Sequence, residues 1–303
     1  MYLNRKTMSA AVSQLINHGR EDVYLTSDPE ITFFRSSHKR HTAFSVESIK
    51  QSIHGIADFD NNISVTISKS GDLLLNCWVQ VDLPSLNNYI FTNVNGEEIK
   101  TVQYTDKTIL SLFKSIQIDI GGQLVENLYP EFIDLHSQLT HSEHKYKALN
   151  KMWRAENTGG TVYLHLPFYF SKSAAQSIPL LSLTNQDIRI HFKFAPWNEV
   201  IKSFVVPGDT SGKDYVVTHV SRIDNSDKPF SISNFTCFCD YVFLDFRERE
   251  KLLNMEQREY LIEVTQYSGV FPVQSNTDIQ KLQLNFSHPV KELFWIYNES
   301  DKV

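Results

Sequence analysis

The sequence has little cysteine. Cys77, Cys237 and Cys239 are the only three in 303 residues. A small, odd set without regular spacing excludes a disulfide-framework domain and fits a reducing compartment. Long apolar runs are missing too. No stretch approaches the ~18 residues that a membrane-spanning helix needs. The first residues, MYLNRKTM, are polar, and the stretch Ser9–Ile16 is too short and too polar for the apolar region of a secretory leader, so no leader is expected. Basic excess is absent: 29 Lys and Arg stand against 35 Asp and Glu, a formal charge of −6. That balance argues against a dedicated nucleic-acid binder. There is no internal repeat and no low-complexity segment.

Catalytic signatures are equally scarce. A β-sandwich of the cupin type needs two histidines two apart on one strand face, plus an acid and a third histidine, so that the imidazoles converge on one ion. No H-x-H occurs. His165 and His191 are single histidines on separate strand-like runs. His141 and His144 lie three apart on an expected helix, without an evident third ligand, and read as a solvated face. No G-x-S-x-G elbow and no G-x-x-x-x-G-K-[ST] phosphate loop is present. Cys77 falls on the apolar side of its strand, where a thiol is inert packing. Cys237 and Cys239 share one strand face and read as buried thiols rather than a metal or redox pair. Glu248 and Glu250 belong to a charged, solvated segment. No catalytic residue, metal or cofactor is therefore expected.

What the sequence does contain is a core. Hydrophobic residues make up 41% and aromatics 12%, against 21% charged, which excludes a disordered chain. Most of it reads in period two. Ile63-Ser-Val-Thr-Ile67 alternates. Leu75, Cys77, Val79, Val81 and Leu83 form one face against Asn76, Trp78, Gln80 and Asp82. Ile116, Ile118 and Ile120 alternate with Gln117 and Asp119, and Gly121-Gly122 supplies a hairpin turn. Ile188, Ile190, Phe192 and Phe194 alternate, as do Leu282, Leu284 and Phe286. This is the mark of strands with one buried face. Thr161–Phe170 and Phe235–Asp245 are aromatic-rich and strand-like. Helical patterns are few. Pro130 opens one, with Phe132, Leu135 and Leu139 on its face. Ser142 caps a second that carries Leu149, Met152 and Trp153. Phe246–Met255 reads as a solvated linker helix with i,i+4 charge pairs. From Ile31 to Asp245 there are about eight strand candidates, and the βαβ alternation of a parallel sheet is missing. The fold class is all-β, a sandwich or jelly roll.

Certain words narrow this further. In order they are Asp22–Phe34 (DVYLTSDPEITFF), Arg40–Phe44 (RHTAF), Asn62–Pro84, Lys114–Gln123 (KSIQIDIGGQ), Leu166–Phe170 (LPFYF), Ile178–Leu183 (IPLLSL), Asp187–His191 (DIRIH), Asp240–Asp245 (DYVFLD), Glu259–Glu263 (EYLIE) and Leu284–Leu293 (LNFSHPVKEL). The ordered series, from about Gln14 onward, resembles the major capsid proteins of the large icosahedral nucleocytoplasmic DNA viruses. The resemblance implies a double jelly roll, two eight-stranded antiparallel sandwiches in one chain. It also implies a structural, non-enzymatic protein that forms homotrimeric, pseudo-hexagonal capsomers. Neighbouring capsomers, minor capsid proteins and an inner viral membrane would be its surroundings, without specific nucleic acid or small-molecule substrate. The expected location is the virion, with assembly in the host cytoplasm.

The expected organisation is an N-terminal arm over 1–27 at the inner face of the capsomer, a first jelly roll over 28–246, a helical linker over 247–259, and the start of a second jelly roll over 260–303. That second roll shows about three strand candidates where about eight are needed. A fragment, an interrupted reading frame, a truncated paralogue, or completion by another chain would each account for it. A minor capsid role and a glycan-binding attachment role stay open beside the main reading.

Three surface features stand out. Arg35, His38, Lys39, Arg40 and His41 form the densest positive stretch, an exposed turn that could face anionic lipid or acidic patches on a neighbouring capsomer. The N-x-[ST] sequons fall at Asn62, Asn234, Asn285 and Asn298, with Asn62 and Asn298 the candidates for glycosylation. The polar loops Pro84–Asp106 and Ala195–Lys213 are expected at the outer end or at subunit contacts.

Overall fold

In a computed structural model of the chain, the residues described are 43–92, 98–99, 102–183, 185–203, 219–222, 230–254, 259–272 and 281–297. The N-terminal arm, the basic cluster Arg35, His38, Lys39, Arg40 and His41, and the sequon Asn298 lie outside them. Two units are present. Residues 281–293 belong to one, and the other described residues to the larger one.

The larger unit is built from strands. In chain order they are β1 (Phe44–Lys50), β2 (Ser52–His54), β3 (Asn62–Thr66), β4 (Leu73–Leu83), β5 (Tyr89–Thr92), β6 (Val102–Tyr104), β7 (Phe113–Ile120), β8 (Gln123–Leu128), β9 (Gly160–His165), β10 (Ile178–Pro179), β11 (Ile188–Phe194), β12 (Ile201–Ser203), β13 (His219–Arg222) and β14 (Asn234–Leu244). One sheet runs β1-β14-β4-β10, with β9 beside β4. The second runs β2-β3-β11-β7-β8. Eight strands carry the topology: β1, β3, β4, β7, β8, β9, β11 and β14. The first pairs with the last, the second with the seventh, the third with the sixth and the fourth with the fifth. A long antiparallel ribbon wrapped on itself gives this nesting, and it is a jelly roll.

The inner faces are those that the alternation marks. Cys77, Val79, Val81 and Leu83 of β4 are buried, as are Ile116 and Ile118 of β7 and Ile188, Ile190, Phe192 and Phe194 of β11. Aromatic contacts cross between the sheets. Phe235 of β14 meets Phe192 and Phe194 of β11 edge-on, with ring centres 5.3 and 5.7 Å apart. Gly121 and Gly122 turn the β7–β8 hairpin at φ +62° and +81°, which glycine adopts without a Cβ clash.

Bulges account for two departures from simple alternation. Between β4 and β14 the register jumps, so that Asn76 faces Asp240 while Leu74 faces Tyr241. Leu75, expected in the core face, is the extra residue and stays half-buried, and Leu74 takes the core position instead. A second jump lies between β7 and β8 and passes over Val125. It turns Leu124 outward, 59% exposed, and Glu126 inward, 2% exposed.

The helices also differ in detail. α1 (Pro130–Thr140) begins with Pro130 at its first turn as expected. Its buried residues are Ile133 and Ser137, while Leu139 is exposed. The apolar stripe is short and incomplete, and docking against the sheet picks the Ile133 side. α2 (Glu143–Trp153) starts after Ser142, whose hydroxyl makes no capping bond, and buries Trp153. His141 closes α1 and His144 opens α2, so the break between helices separates the pair. α3 (Phe246–Asn254) follows β14 directly. Asp72 holds it, accepting from the Leu244 N–H at 2.7 Å and pairing with Arg249 Nε at 3.2 Å.

After α3 no described residue joins a strand ladder. The runs Tyr260–Gln266 and Leu282–Phe286 are expected as strands, and the structure gives neither of them strand conformation within a ladder. A strand is fixed by its ladder, and alternation alone does not supply the partner. In the smaller unit Leu282, Leu284, Val290 and Leu293 are exposed.

Candidate assembly surfaces

The loop Pro84–Asp106 pairs at two places with the chain between β11 and β14, once inside the loop Ala195–Lys213 and once beyond it. β5 joins β13 through Tyr89↔Arg222 and Phe91↔Val220, and β6 joins β12 through Val102↔Ser203 and Tyr104↔Ile201. The result is a small two-ribbon cluster whose buried Phe91, Ile99, Tyr104 and Phe230 continue the hydrophobic core of the roll. Phe230 is its hub. It stacks on Phe59 at 5.2 Å and meets Tyr89 and Phe91 edge-on at 5.0 and 6.1 Å. Tyr104 anchors the base, donating its hydroxyl to the Pro84 carbonyl at 2.7 Å. Burial raises its pKa well above the usual phenol range. Asp106 pairs with Lys202 at 3.1 Å, and that contact holds its carboxyl below the usual range.

The outer face of the first sheet is a polar network. Asp240 accepts from Asn76 Nδ2 and Trp78 Nε1, both at 3.2 Å, and from Ser48 Oγ. His165 packs against the Trp78 ring at 4.6 Å. Burial, with smaller contributions from Lys145 and His141, pushes the His165 imidazole down to about 4 against the pull of Asp240. At its edge, β1 exposes Phe44 and Val46.

The outer face of the second sheet is a shallow polar groove lined by His54, Ser64, Ser115, Gln117, His191 and Lys193. His191 Nε2 bonds Asp119. Asn62 lies at the rim of this groove, exposed. Asn234, by contrast, donates its amide to Asp82 Oδ2 at 3.0 Å. Among the described residues no group of three or more His, Cys, Asp or Glu side chains is placed to hold a metal ion.

A third surface lies at the β8 edge. Glu126 accepts from Tyr169 N–H at 3.0 Å through one oxygen, and from Thr265 N–H and Oγ1 at 3.2 and 3.0 Å through the other. Lys172 pairs with Glu263 at 3.5 Å, Gln176 donates to the Leu261 carbonyl, and Tyr267 packs on Tyr129. The segment after α3 is therefore fastened to the jelly roll. Burial raises the Glu126 pKa despite these donors. Sequence reasoning missed Glu126, Asp72 and Gln51, three buried polar residues that fasten chain crossings. A lone acid inside an apolar alternation was the available signal for Glu126.

Comparison with known proteins decides the family. The model of the major capsid protein N-terminus matches residues 32–245. The chain belongs to the major capsid protein family. The match spans the whole wrapped roll from β1 to β14. Among curated capsid proteins, probable capsid protein 4 of Acanthamoeba polyphaga mimivirus is 28% identical over 98% of this chain and 74% of its own length. The major capsid protein of Phaeocystis pouchetii virus is 28% identical over 95% of this chain and 58% of its own. That of Paramecium bursaria Chlorella virus 1 is 29% identical over 95% and 60%. Among solved structures, the PBCV-1 capsid model aligns with TM-score 0.54 at 23% identity, over 76% of this chain and 49% of that one. The Faustovirus major capsid protein aligns at 0.51 and 11%, over 77% and 59%. These likenesses place the chain in the double jelly-roll fold class. It spans about half to three quarters of the length of these five capsid chains.

Proposed function

We propose that this chain is a structural subunit of an icosahedral viral shell, acting by shape rather than by catalysis. The observation that carries the reading is the nested eight-strand roll, matched throughout by the capsid family model. Capsid subunits of this form associate laterally as homotrimers, which become pseudo-hexagonal capsomers beside further capsomers and minor capsid proteins. The paired-loop cluster fits the outer end. The polar outer faces of the two sheets fit lateral contacts, which fill with hydrogen bonds and water as well as apolar groups. Residues 28–246 form the first roll, 247–259 the linker, and 260–303 the start of the second. Exposed Leu282 and Leu284 support the last assignment, since an alternating apolar face asks for a covering sheet. The site of action is the virion, after assembly in host cytoplasm. The basic cluster Arg35–His41 is assigned to the inner surface facing membrane or neighbouring capsomers, and Asn62 and Asn298 to exposed positions open to glycosylation.

Light scattering on the purified chain tests this. A stable particle of three chain masses supports the reading. A strict monomer at every concentration and ionic strength contradicts the main-shell role and favours a minor capsid role. Binding on a glycan array by a monomer would point to the attachment role instead.

A further inference from the structure

The three cysteines meet. Cys77 of β4 and Cys239 of β14 are direct cross-strand partners, 162 residues apart in sequence, and their Sγ atoms lie 3.3 Å apart. Cys237 sits two residues along on the same inner face and is buried as well. The backbone bonds fix the type of pair. The Cys77 carbonyl accepts from Leu166 N–H, on the β9 side of β4. The Cys237 carbonyl accepts from Gln51 N–H, on the β1 side of β14, and Cys239 points the same way two residues on. Both cysteines thus turn their backbone polar groups away from each other. They occupy a non-hydrogen-bonded position, where Cα atoms approach to about 4.5 Å and side chains are closest. That spacing lies within the range a disulfide spans.

We propose that Cys77 and Cys239 form a cross-strand disulfide that locks the third strand of the roll to the last, with Cys237 as the spare thiol. The two thiols give up two protons and two electrons. A low-molecular-weight disulfide such as oxidised glutathione takes them up and leaves as two thiols. Burial raises the pKa of the Cys77 thiol. The closed sandwich therefore keeps it protonated and slow to react, so the bridge forms while β14 is seating or during an opening. Seating of β14 completes the roll, because it joins β1 to β4. The bridge would close only after two segments 162 residues apart have met, and a subunit carried from a reducing to an oxidising medium would gain a covalent clasp. The inference does not depend on the shell reading.

The test refolds the full chain with oxidised or reduced glutathione, blocks free thiols, and maps linked peptides by mass spectrometry. The expected result is a peptide joining Cys77 to Cys239 in the folded fraction of the oxidised sample, with Cys237 alkylated. The oxidised protein should unfold several degrees higher, and dithiothreitol should abolish the shift. Cys237→Ser should keep the link and the shift. Cys77→Val, which preserves an apolar core residue, should lose both. Alkylation of all three cysteines, a Cys237–Cys239 link alone, or a Cys77–Cys239 link that lowers the midpoint would overturn the proposal.

Discussion

Thr265 and Glu126 stand 139 residues apart in sequence and share two hydrogen bonds, from Thr265 N–H and Oγ1 to one Glu126 oxygen. The other oxygen takes Tyr169 N–H. One buried carboxylate thus fastens the segment after α3 to the edge of the second sheet. Glu126→Ala leaves the Tyr169 N–H buried without its acceptor and should cost about 1–3 kcal/mol. Urea denaturation measures that cost. Limited proteolysis should show faster cleavage within 259–272 in the variant, and unchanged cleavage would refute the fastening role.

The same carboxyl sets a pH dependence. Its folded pKa is raised, chiefly by burial, with Lys172 and the Tyr169 and Thr265 donors opposing. Glu263 faces Lys172, and Tyr260 lies near Tyr169. An acid with a raised folded pKa binds its proton more readily folded than unfolded. Its contribution to stability is then largest below the unfolded value, near 4.3, and declines as pH rises through the folded value. Acidification from neutral should slow proteolysis of 259–272 in the parent, and Glu126→Gln should flatten the profile.

His165 acts in the opposite sense. Its imidazole is held down at about 4 from an ordinary 6.5, first by burial. The unfolded chain therefore binds the proton more readily between those values, and stability is lost as pH falls through that window. The loss should reach about 3 kcal/mol at its lower end. Thermal midpoints from pH 7 to 4.5 measure it. His165→Phe keeps a ring against Trp78 and removes the titration, so its midpoint should fall less steeply with acid.

The paired-loop cluster of β5, β6, β12 and β13 should open before the central strands of the roll. Phe230→Ala removes the ring shared by Phe59, Tyr89 and Phe91, at a local cost of about 3–5 kcal/mol. Hydrogen exchange should accelerate in 89–92, 102–104 and 201–203 and stay slow in 116–120. Equal acceleration in both would show a single cooperative unit.

Gly71 and Gly122 give a paired test. A Cβ at Gly71 would lie 2.7 Å from Tyr241 Cβ, while one at Gly122 meets nothing. Gly71→Ala should therefore destabilise by about 1–3 kcal/mol through overpacking. Gly122→Asn should be nearly neutral, because asparagine tolerates a left-handed turn position. Urea midpoints decide the order.

The core strands were legible because β4, β7, β11 and β14 alternate strongly and each buries one face. The bulges were not. A single extra residue at Leu75 or Val125 reverses the phase, and no side-chain pattern announces it. The pairing of β5 with β13 was hidden as well, since Tyr89–Thr92 and His219–Arg222 are short and meet over more than a hundred residues. Polar fasteners such as Glu126 and Asp72 depend on which backbone N–H groups a distant crossing leaves unpaired. The candidate surfaces inherit this limit. Asn62 was legible as an exposed strand start, whereas the Trp78–His165–Asp240 network required three strands to be brought side by side.

Electron cryomicroscopy of the assembled chain is the most direct test of a shell subunit. The account predicts three copies around a threefold axis, each with its roll upright and the cluster of β5, β6, β12 and β13 at the outer end. Particles in which the rolls do not touch laterally, or in which that cluster is buried at the centre of the contact, would contradict it.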